Sequence, residues 1–486
     1  MEQTERYIVA VDLGSSKMAL SVALVNGDDV QILYYKERPS EGIRYSSVLN
    51  VTKAYNVFKD MILEAEEELG IKITQVVVGM PKYPVLQVVN TARETDRGED
   101  ADITREDVEN LKRFAQNNYP LEDDKRLIYG AVAQSFSDGE NFQVLEDDII
   151  GMTGDVLEGN FKLFIGKKVY LDKIDQMMNK LGVPASRKYF TADTTARVVL
   201  TQAEMESGVA LVDFGGGCTS VSIYYGNIMR HYSSIPFGGG NITEDIKNEC
   251  QISSHLAENI KLAYGACLPE KLQSMSEKII HIRSNSADPD SQLPVKYLSE
   301  IITCRVEEIL MAIFYEIEKS GFADKLRSGI VVTGGVAQTA NLGNLIYDLS
   351  GYKSRVGYPL RKFSFKGCDG IADTSATSAV GLIMAAKEDL GVACAIVSSD
   401  YASVLLNADA EPQPEVNEMP GTVEPAAEVV ETVETEEAGN KEEDKKAEEK
   451  KKEKEKKPKK RMGWGDGFKR TIFGIVKSGS DEDDRA

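Results

Sequence analysis

The sequence contains few of the residues that build metal centres or covalent frameworks. Among its 486 residues are only 3 histidines and 6 cysteines. The cysteines stand singly, without a Cys-x-x-Cys pair, and the histidines (His231, His255 and His281) are widely separated. Zinc sites and disulfide scaffolds need clustered ligands or paired cysteines, so neither class is indicated. Single cysteines are typical of a protein in a reducing cytoplasm.

Long apolar runs and an excess of positive charge are also missing. No stretch reaches the roughly 18 apolar residues that span a bilayer, and the N-terminus lacks the basic and apolar regions of a secretion signal. The formal net charge is −21. Because nucleic-acid binding needs clustered Lys and Arg, we expect no nucleic-acid partner. We expect a soluble cytoplasmic body that an anionic membrane would repel.

Residues 1–396 alternate strand-like and helix-like segments. Apolar, β-rich runs occur in IVAVDL, MALSVALV, QVVVGM, VALVDF, SVSIYY and GIVVTGG. Many are apolar at successive positions, as expected of strands that are covered on both faces. Between them, AYNVFKDMILEAEEELG and LSEIITCRVEEILMAIFYEIEKSG carry apolar residues at helical spacing and end in Gly, a frequent helix C-cap. The pattern predicts an α/β fold.

Residues 84–167 interrupt this alternation. They contain a helix of their own, ITREDVENLKRFAQ, which Thr104 and Asp107 open in the manner of a capping box. Strand-like runs follow and end in KLFIG. We interpret the segment as an inserted α+β subdomain, with an elaborated loop region as the alternative.

The composition changes after residue 396. Residues 408–439 are rich in Glu, Pro, Val and Thr and lack Lys and Arg, and residues 441–461 mix Lys with Glu before ending in KKPKKR. Such a tract has too little apolar surface to offset the entropy lost on ordering. We predict a disordered linker over residues 397–461; a solvated helix across its Lys/Glu part would still act as a spacer.

Two segments of the chain repeat one plan. IVAVDLGSSKMALSVALV and VALVDFGGGCTSVSIYYG each contain an apolar strand, Asp-x-Gly, small or hydroxyl residues, and a second apolar strand. The repeat predicts two related halves, each with a hairpin whose turn follows an aspartate, Asp12 in the first and Asp213 in the second. We call residues 14–17 the first turn and residues 215–219 the second turn.

Each turn has the residue types that bind phosphate. Glycines there can adopt backbone angles that other residues resist, which lets backbone N–H groups approach a phosphate. Hydroxyl groups and Lys17 add hydrogen bonds and positive charge, while Asp12 and Asp213 suit Mg²⁺, which prefers carboxylates and water. A third motif, GIVVTGGVAQTANLGNL, runs from a strand through Gly334 and Gly335 into a helix start, where a flat ligand such as adenosine could approach. A lone motif of this kind is usually an ordinary turn, but three in this order indicate a nucleotide site.

In these motifs the sequence resembles the actin-like ATPase superfamily, and within it the FtsA family of bacterial cell-division proteins. The segments that carry the resemblance are DLGSSK, GNIMRHYSSIPFGGGNITEDI, HLAENIKLAYGAC, VVTGGVAQTANL and DTSATSAVGLI. It covers residues 5–396, and the C-terminal tract matches the family plan of a linker followed by an amphipathic helix.

The resemblance implies an actin-like fold of two related halves around a nucleotide cleft, with an inserted α+β (SHS2-like) subdomain. It also implies binding of ATP and Mg²⁺, self-assembly into filaments, and recruitment of the tubulin-like ring protein FtsZ and other division proteins to the cytoplasmic face of the inner membrane. The implied divisions are residues 1–83 (first half), 84–167 (inserted subdomain for self-association), 168–204 (return to the first half), 205–242 (second half), 243–317 (its small subdomain, with the adenosine side and FtsZ docking), 318–373 (second half), 374–396 (closing helix), 397–461 (linker) and 462–478 (membrane-targeting helix).

The family's nucleotide contacts can be transferred to matching positions of this sequence. They are Asp12, Gly14, Ser15, Ser16, Lys17, Asp213, Gly215, Gly216, Gly217, Thr219, Gly334 and Gly335, with Glu258 and Lys261 near the sugar and base and with Asp12 and Asp213 holding Mg²⁺ through water. For Glu258 and Lys261, an exposed helical ion pair is an equal alternative.

Three positions qualify the resemblance. Cys218 follows the glycines of the second turn, where a polar residue would be unremarkable. Superfamily members that hydrolyse ATP well order the attacking water with Gln or Glu, whereas YFTADTTARVV offers only the shorter Asp193, for which a plain helix N-cap is the favoured alternative. We therefore expect at most weak ATPase activity and a mainly structural role. Arg305 matches an Arg implicated in FtsZ contacts and self-contacts, with a solvated helix face as the alternative.

Other members of the superfamily fit the sequence less well. A sugar or acetate kinase would need a catalytic base over an acceptor, and no clear one is present. An Hsp70 chaperone would need a β-rich domain after about residue 390, where the sequence is of low complexity. A pilus-assembly relative shares the expected core and insertion, and the C-terminal tail is the main feature against it.

The C-terminal tail has the pattern of an interfacial amphipathic helix. At about 100° per residue, one stripe gathers most of its large apolar side chains, and basic residues lie to the other side. The predicted membrane contacts are Trp464, Phe468, Lys469, Arg470, Ile472, Phe473, Ile475 and Val476, of which Phe473 falls on the polar side. The preceding KKPKKR adds attraction to anionic lipid. The alternative is a short helix docked on the protein's own body.

Overall fold

The structure is a computed structural model that describes residues 5–98, 101–282, 291–360 and 362–397. Residues 398–461 of the predicted linker and the whole of the predicted C-terminal helix, including Trp464, lie outside the described residues.

Strands and helices alternate in the first half as the periodicity predicts. The elements up to the insertion are β1 (Arg6–Leu13), β2 (Lys17–Asn26), β3 (Asp29–Pro39), β4 (Ile43–Arg44), β5 (Ser47–Val48), α1 (Val51–Leu69), β6 (Ile71–Ile73) and β7 (Val76–Gly79). The insertion contains β8 (Leu86–Glu94), α2 (Arg105–Asn117), β9 (Arg126–Ser137), α3 (Glu146–Ile149) and β10 (Leu157–Lys167). The first half then resumes with α4 (Lys168–Leu181), β11 (Ala185–Tyr189), α5 (Thr191–Val199) and α6 (Gln202–Ser207).

The second half repeats the alternation with longer helices. Its elements are β12 (Val209–Phe214), β13 (Thr219–Tyr225), β14 (Ile228–Ile235), α7 (Gly239–Cys250), α8 (Ser254–Tyr264), β15 (Ile279–Ile282), β16 (Ser291–Pro294), α9 (Val295–Lys319), β17 (Ile330–Thr333), α10 (Leu342–Ser350) and β18 (Ser354–Val356). The described chain ends with β19 (Ser364–Phe365), α11 (Thr377–Glu388) and β20 (Ala395–Val397).

The two halves share one sheet topology. The first sheet has the order β11-β7-β1-β2-β3-β19, with β20 pairing with β1 and β6 pairing with β20, and the second has the order β14-β13-β12-β17-β18. In each, an antiparallel hairpin (β1 with β2, β12 with β13) lies beside a parallel strand (β7 or β17). The order β3-β2-β1-β7-β11 therefore corresponds strand by strand to β14-β13-β12-β17-β18, so the repeat in the sequence is a repeat in the fold.

Burial on both faces explains the continuous apolar runs. Residues Ile8 to Val11 of β1 are fully buried, because α11 packs against β1 while α1 packs with α4 and against β2 and β3. Each buried Val or Ile side chain contributes about 1.5–3 kcal/mol through removal from water. The central strands are thereby fixed, and with them the turns at their ends.

The insertion has its own sheet and core. Its strands pair in the order β8-β10-β9, and α2 packs on them through Val108 and Leu111, next to an edge-to-face pair formed by Phe136 and Phe161. Thr104 caps α2 and exchanges hydrogen bonds with Asp107, as the capping-box pattern predicts.

Two details differ from the sequence-based expectation. Gly70 caps α1 in the left-handed conformation, as predicted, but α9 ends on Ser320, and the left-handed Gly321 is the next residue. The resemblance assigned residues 318–373 to the second half, but β19 within that range pairs with β3 of the first sheet. The chain returns early because Phe363 and Phe365 pack against the core of the first half.

Candidate functional site

The first and second turns contact each other between the two halves. Each follows the end of a buried central strand, with Asp12 opposite Ala19 and Asp213 opposite Ser220 in the hairpin registers. A Cβ atom on Gly217 would lie 2.4 Å from the Ser15 Oγ, and one on Gly216 would lie 2.6 Å from the Ser16 Cβ. The equivalent turns of the two halves therefore meet face to face.

The glycines of these turns are required for space rather than for backbone angle. The expectation that they adopt angles closed to other residues is wrong, because none of Gly14, Gly215, Gly216 and Gly217 has a positive φ. A Cβ on Gly14 would instead lie 2.5 Å from the Lys17 carbonyl oxygen, and one on Gly215 would lie 2.8 Å from that of Cys218. The close approach of backbone to backbone excludes any side chain.

A buried lysine that the sequence analysis missed lies beneath the turns. Lys82 follows β7 and forms an ion pair with Asp213 of the other half, and both side chains are almost buried, at 13 and 12 % exposure. Its Nζ also donates to Ser378 Oγ on α11, at 3.0 Å. Strand β7 runs parallel to β1, so its carboxyl end opens at the same sheet edge as Asp12.

Burial and charge set the protonation of this group. Burial raises the pKa of Asp12, and the Lys82 ammonium opposes that rise. Burial would by itself lower the pKa of Lys82, but the Asp213 and Asp12 carboxylates outweigh it and raise that pKa above its usual value. Burial raises the pKa of Cys218 to about 11, so its thiol is protonated and unreactive near neutral pH.

The predicted polar contacts of the turns have partners within the protein. Lys17 forms an ion pair with Glu37. Ser15 Oγ accepts a hydrogen bond from the Ser46 backbone N–H at 2.9 Å, while Thr219 Oγ1 donates to the Phe237 carbonyl at 2.8 Å. Ser15 Oγ can still donate its own proton and the Lys17 ammonium has further N–H groups, so both can bind a ligand at the turns, whereas the Thr219 hydroxyl would have to exchange its present acceptor.

The predicted adenosine side adjoins the second turn. Gly239, at the start of α7, donates to the Gly215 carbonyl at 2.9 Å. Lys261 on α8 donates to the Gly239 carbonyl at 3.0 Å and to Glu258 at 2.7 Å. The Lys261 side chain is only 15 % exposed, so its pair with Glu258 is not the exposed helical ion pair of the alternative interpretation.

The glycine pair, Gly334 and Gly335, follows β17 and lies against the end of β12, next to the second turn. Gly334 has a φ of +86°, and a Cβ there would lie 2.8 Å from Asp213 Oδ1. Nothing lies within 4 Å of the position that a Cβ on Gly335 would take. The two turns, the glycine pair, Glu258 and Lys261 are therefore brought together around Asp213 and Gly215.

Asp193 and Arg305 have other contacts. Asp193 is not the helix N-cap, which is Phe190; it lies in the first turn of α5 and accepts from Arg197 at 2.9 Å. The N-cap interpretation is wrong because α5 begins two residues earlier. Arg305 is not on a freely solvated helix face, since it forms a two-pronged ion pair with Asp245 on α7, at 2.5 and 2.9 Å.

Within the described residues, no group of three or more His, Cys, Asp or Glu side chains could hold a metal ion. Two aspartates alone leave most positions around Mg²⁺ to water and phosphate oxygens, which is the coordination that Mg²⁺ favours. Cavities of about 560 and 570 Å³ lie elsewhere, beside Tyr347 on α10 and beside Tyr35 on β3.

Comparison with known proteins identifies the same motifs. The sequence model of the family described as "Cell division protein FtsA" matches residues 210–381, which contain the second turn and the glycine pair. The chain is 28 % identical over 391 residues to the cell division protein FtsA of Neisseria meningitidis serogroup B, covering 79 % of this chain and 91 % of the relative. It is 27 % identical over 405 residues to that of Pseudomonas aeruginosa, covering 82 and 94 %. The resemblance to the FtsA family that the sequence predicts is confirmed.

A solved structure agrees with the topology of the FtsA-like chain. The PilM–PilN type IV pilus biogenesis complex contains a chain with a TM-score of 0.53 at 12 % identity, covering 79 % of this chain and 98 % of that one. Such a likeness shows the fold alone. The predicted α/β actin-like fold of two related halves is confirmed. No helix among the described residues combines the length and apolar character needed to cross a membrane.

Proposed function

We propose that this protein binds ATP with Mg²⁺ between its two turns and uses the nucleotide to control assembly during cell division. One observation carries the proposal: equivalent turns of two related halves meet face to face above Asp12, Asp213 and the buried Lys82. Because the turns are now in contact, a polyphosphate between them requires the halves to separate slightly.

The described residues fit such a ligand in their chemistry. Backbone N–H groups of the turns, where no side chain intrudes, suit phosphate oxygens. Asp12 and Asp213 are carboxylates of the kind that bind Mg²⁺, and bound Mg²⁺ would neutralise charge on the phosphates. Asp213 is buried beside the Lys82 ammonium, the kind of partner that a charged carboxylate in a protein interior requires.

The adenosine would lie beside Gly334 and Gly335. The open space at Gly335 allows a flat ring to approach the backbone. Glu258 and Lys261 form the opposite side, where the Lys261 ammonium is fixed by the Gly239 carbonyl and by Thr243 Oγ1 at 2.7 Å. With Glu258 as its third acceptor, the ammonium has a protein partner for each of its N–H groups, so a base or ribose would pack against this side chain or exchange one of these contacts.

We infer a structural role with at most weak hydrolysis. Asp193, the carboxylate nearest to the expected position of a water-ordering residue, is bound to Arg197. An acid held in this way is poorly placed to orient an attacking water. ATP would then act mainly by fixing the two halves relative to each other.

The remaining steps of the proposal follow the family. The protein assembles with further copies of itself, binds FtsZ through residues 243–317, and joins other division proteins at the division site. Arg305 is already paired with Asp245 and Glu308, so FtsZ would be bound mainly by other residues. The C-terminal segment from Trp464 to Val476 is proposed to hold the protein on the cytoplasmic face of the inner membrane as a peripheral protein, through its apolar stripe and the basic residues before it.

Direct titration of the full-length protein with a fluorescent ATP analogue tests the nucleotide site. Asp12→Asn removes one charge from the site with almost no change in volume. We expect it to raise the Kd for the analogue with Mg²⁺ by about tenfold or more, with a smaller effect when the metal is chelated.

The matched control is Asp175→Asn, which removes a carboxylate from a surface ion pair with Lys188 in the same half. Circular dichroism checks that each variant is folded. If wild-type protein fails to bind the analogue, or if both substitutions change the Kd equally, the proposed nucleotide site is wrong.

A further inference from the structure

Lys82 connects three parts of the molecule. It belongs to the first half, forms an ion pair with Asp213 of the second half, and donates to Ser378 on α11. Its side chain is only 13 % exposed. Lysines are rarely buried to this extent unless they are paired, so the position is specified by its partners rather than by chance.

The backbone of Lys82 is fixed as well. Tyr232, on β14 of the second half, donates its hydroxyl to the Lys82 carbonyl at 2.8 Å. The Tyr232 ring packs edge-on against Phe190 and Phe164, with ring centroids 5.0 and 5.9 Å away. Tyr232 therefore holds the backbone of Lys82 in place, which keeps the Lys82 ammonium next to Asp213.

The same carboxylate is proposed to serve two cations. Asp213 accepts from Lys82 in this structure, and it is also one of the two carboxylates proposed to face Mg²⁺. A divalent cation and an ammonium on one buried carboxylate repel each other strongly, because screening is weak in the interior. Only one of them can be the main partner of Asp213 at a time.

We propose that Lys82 is a built-in counterion that occupies the cation position between Asp12 and Asp213 and must leave Asp213 when metal-bound nucleotide enters. This inference rests on the proposed function and names the residue that sets its metal requirement. The Lys82 ion pair bridges the two halves, so its release is coupled to the separation of the turns. Metal alone binds poorly to wild-type protein because it must displace the lysine without the phosphates that would stabilise the separated turns.

The test measures thermal unfolding of the full-length protein without nucleotide, with millimolar Mg²⁺ or with NaCl at the same ionic strength. Lys82→Met keeps the length of the side chain and removes its charge. We expect the variant to lose about 5 °C or more in Tm, since it leaves buried carboxylates without a partner. Mg²⁺ should restore part of that loss, whereas the wild-type Tm should respond to Mg²⁺ no more than to NaCl.

Two further variants control for general effects. Lys188→Met removes an ion pair with Asp175 on the surface of the same half, and it should show no Mg²⁺ gain beyond that of NaCl. Lys82→Met combined with Asp213→Asn removes both members of the pair, so it should be more stable than Lys82→Met alone and should gain less from Mg²⁺. If Lys82→Met does not fold, rescue of folding by Asp213→Asn supports the counterion role, and failure of that rescue overturns it.

The outcomes separate this inference from the proposed function. Equal Mg²⁺ responses of Lys82→Met and Lys188→Met would overturn the counterion role, even if wild-type protein binds ATP. A selective Mg²⁺ gain in Lys82→Met supports it, even if the ATP titration fails and the nucleotide proposal is abandoned.

Discussion

At the scale of single residues, the contact between the two turns depends on the absence of side chains. Gly216 and Gly217 have φ angles that any residue could adopt, but the turn of the other half occupies the space that a Cβ atom would need. A side chain added at Gly216 or Gly217 would collide with the turn of the other half. The effect of such a substitution therefore depends on the distance between the two turns.

Gly216→Ala should reduce the free energy of unfolding by about 1–3 kcal/mol, the usual cost of inserting a methyl group into packed structure. The added Cβ would lie 2.6 Å from the Ser16 Cβ and 3.4 Å from the Ser16 backbone nitrogen, so the first turn must move. Urea denaturation measures the change. Gly130→Ala is the control, because its Cβ would lie 3.7 Å from Phe190, an ordinary contact. Equal unfolding free energies for the two variants would contradict the close approach.

The sequence predicts those site residues whose role depends on their neighbours in the chain. Asp12 and Asp213 could be predicted because a strand, an aspartate and a glycine turn recur in both halves. Lys82 was missed because its partner is 131 residues away in the chain. Its placement follows from the parallel pairing of β7 with β1, which brings the ends of both strands to one edge. The sequence signal was a lysine three residues after the end of an apolar strand, in PKYP.

At the scale of elements, the N-terminal cap of helix α2 in the insertion includes an ion pair between Arg97 and Asp107. The Arg97 guanidinium beside Asp107, together with hydrogen bonds from Thr104, lowers the pKa of that carboxyl to about 2. Because this pKa is lower when folded than when unfolded, the charged carboxylate stabilises the fold above about pH 4. That contribution is lost as the pH falls from about 4 towards 2.

Asp107→Asn should lower the stability of the protein by about 1 kcal/mol near pH 7, a typical cost of disturbing a helix cap. The difference from wild type should shrink as the pH falls through 4 towards 2, because the wild-type carboxyl then becomes neutral too. Thermal unfolding across this pH range measures it. Glu109→Gln on the same helix alters an exposed pair with Lys112, 3.8 Å apart, and should show little effect. A difference for Asp107→Asn that stays constant or grows at low pH would contradict the assignment.

Tertiary packing, and not the local sequence, sets where helix α5 begins. Asp193 has the residue type of an N-cap, yet α5 begins at Thr191, and Asp193 binds Arg197 one turn later. Its start is set by burial of most of its side chains and by the close crossing with α11, where a Cβ on Gly381 would lie 2.7 Å from the Thr194 carbonyl oxygen. Such contacts depend on residues far apart in the sequence and cannot be read from local pattern.

At the scale of the whole molecule, the insertion also joins the two halves. Gln134 on β9 donates to the Met229 carbonyl at 3.0 Å, and Gln87 on β8 accepts from the Tyr232 backbone at 2.9 Å. These bonds satisfy the edge of β14, which would otherwise be open to pairing with another chain. Separation of the turns would therefore be transmitted to the insertion, the segment that is proposed to contact further copies of the protein.

We propose that the C-terminal segment tethers an ATP-binding body to lipid. A short amphipathic helix binds weakly alone, but many copies along a polymer bind strongly through effective concentration. Assembly with ATP should therefore strengthen membrane binding without any change in the segment itself.

Sedimentation with anionic liposomes tests this claim most directly, using the full chain and a truncation after Lys460, each with and without ATP and FtsZ. The full chain should sediment with the liposomes, more completely with ATP, and should carry FtsZ with it. The truncated chain should stay in the supernatant with FtsZ. Equal sedimentation of the truncated and full chains would contradict the account.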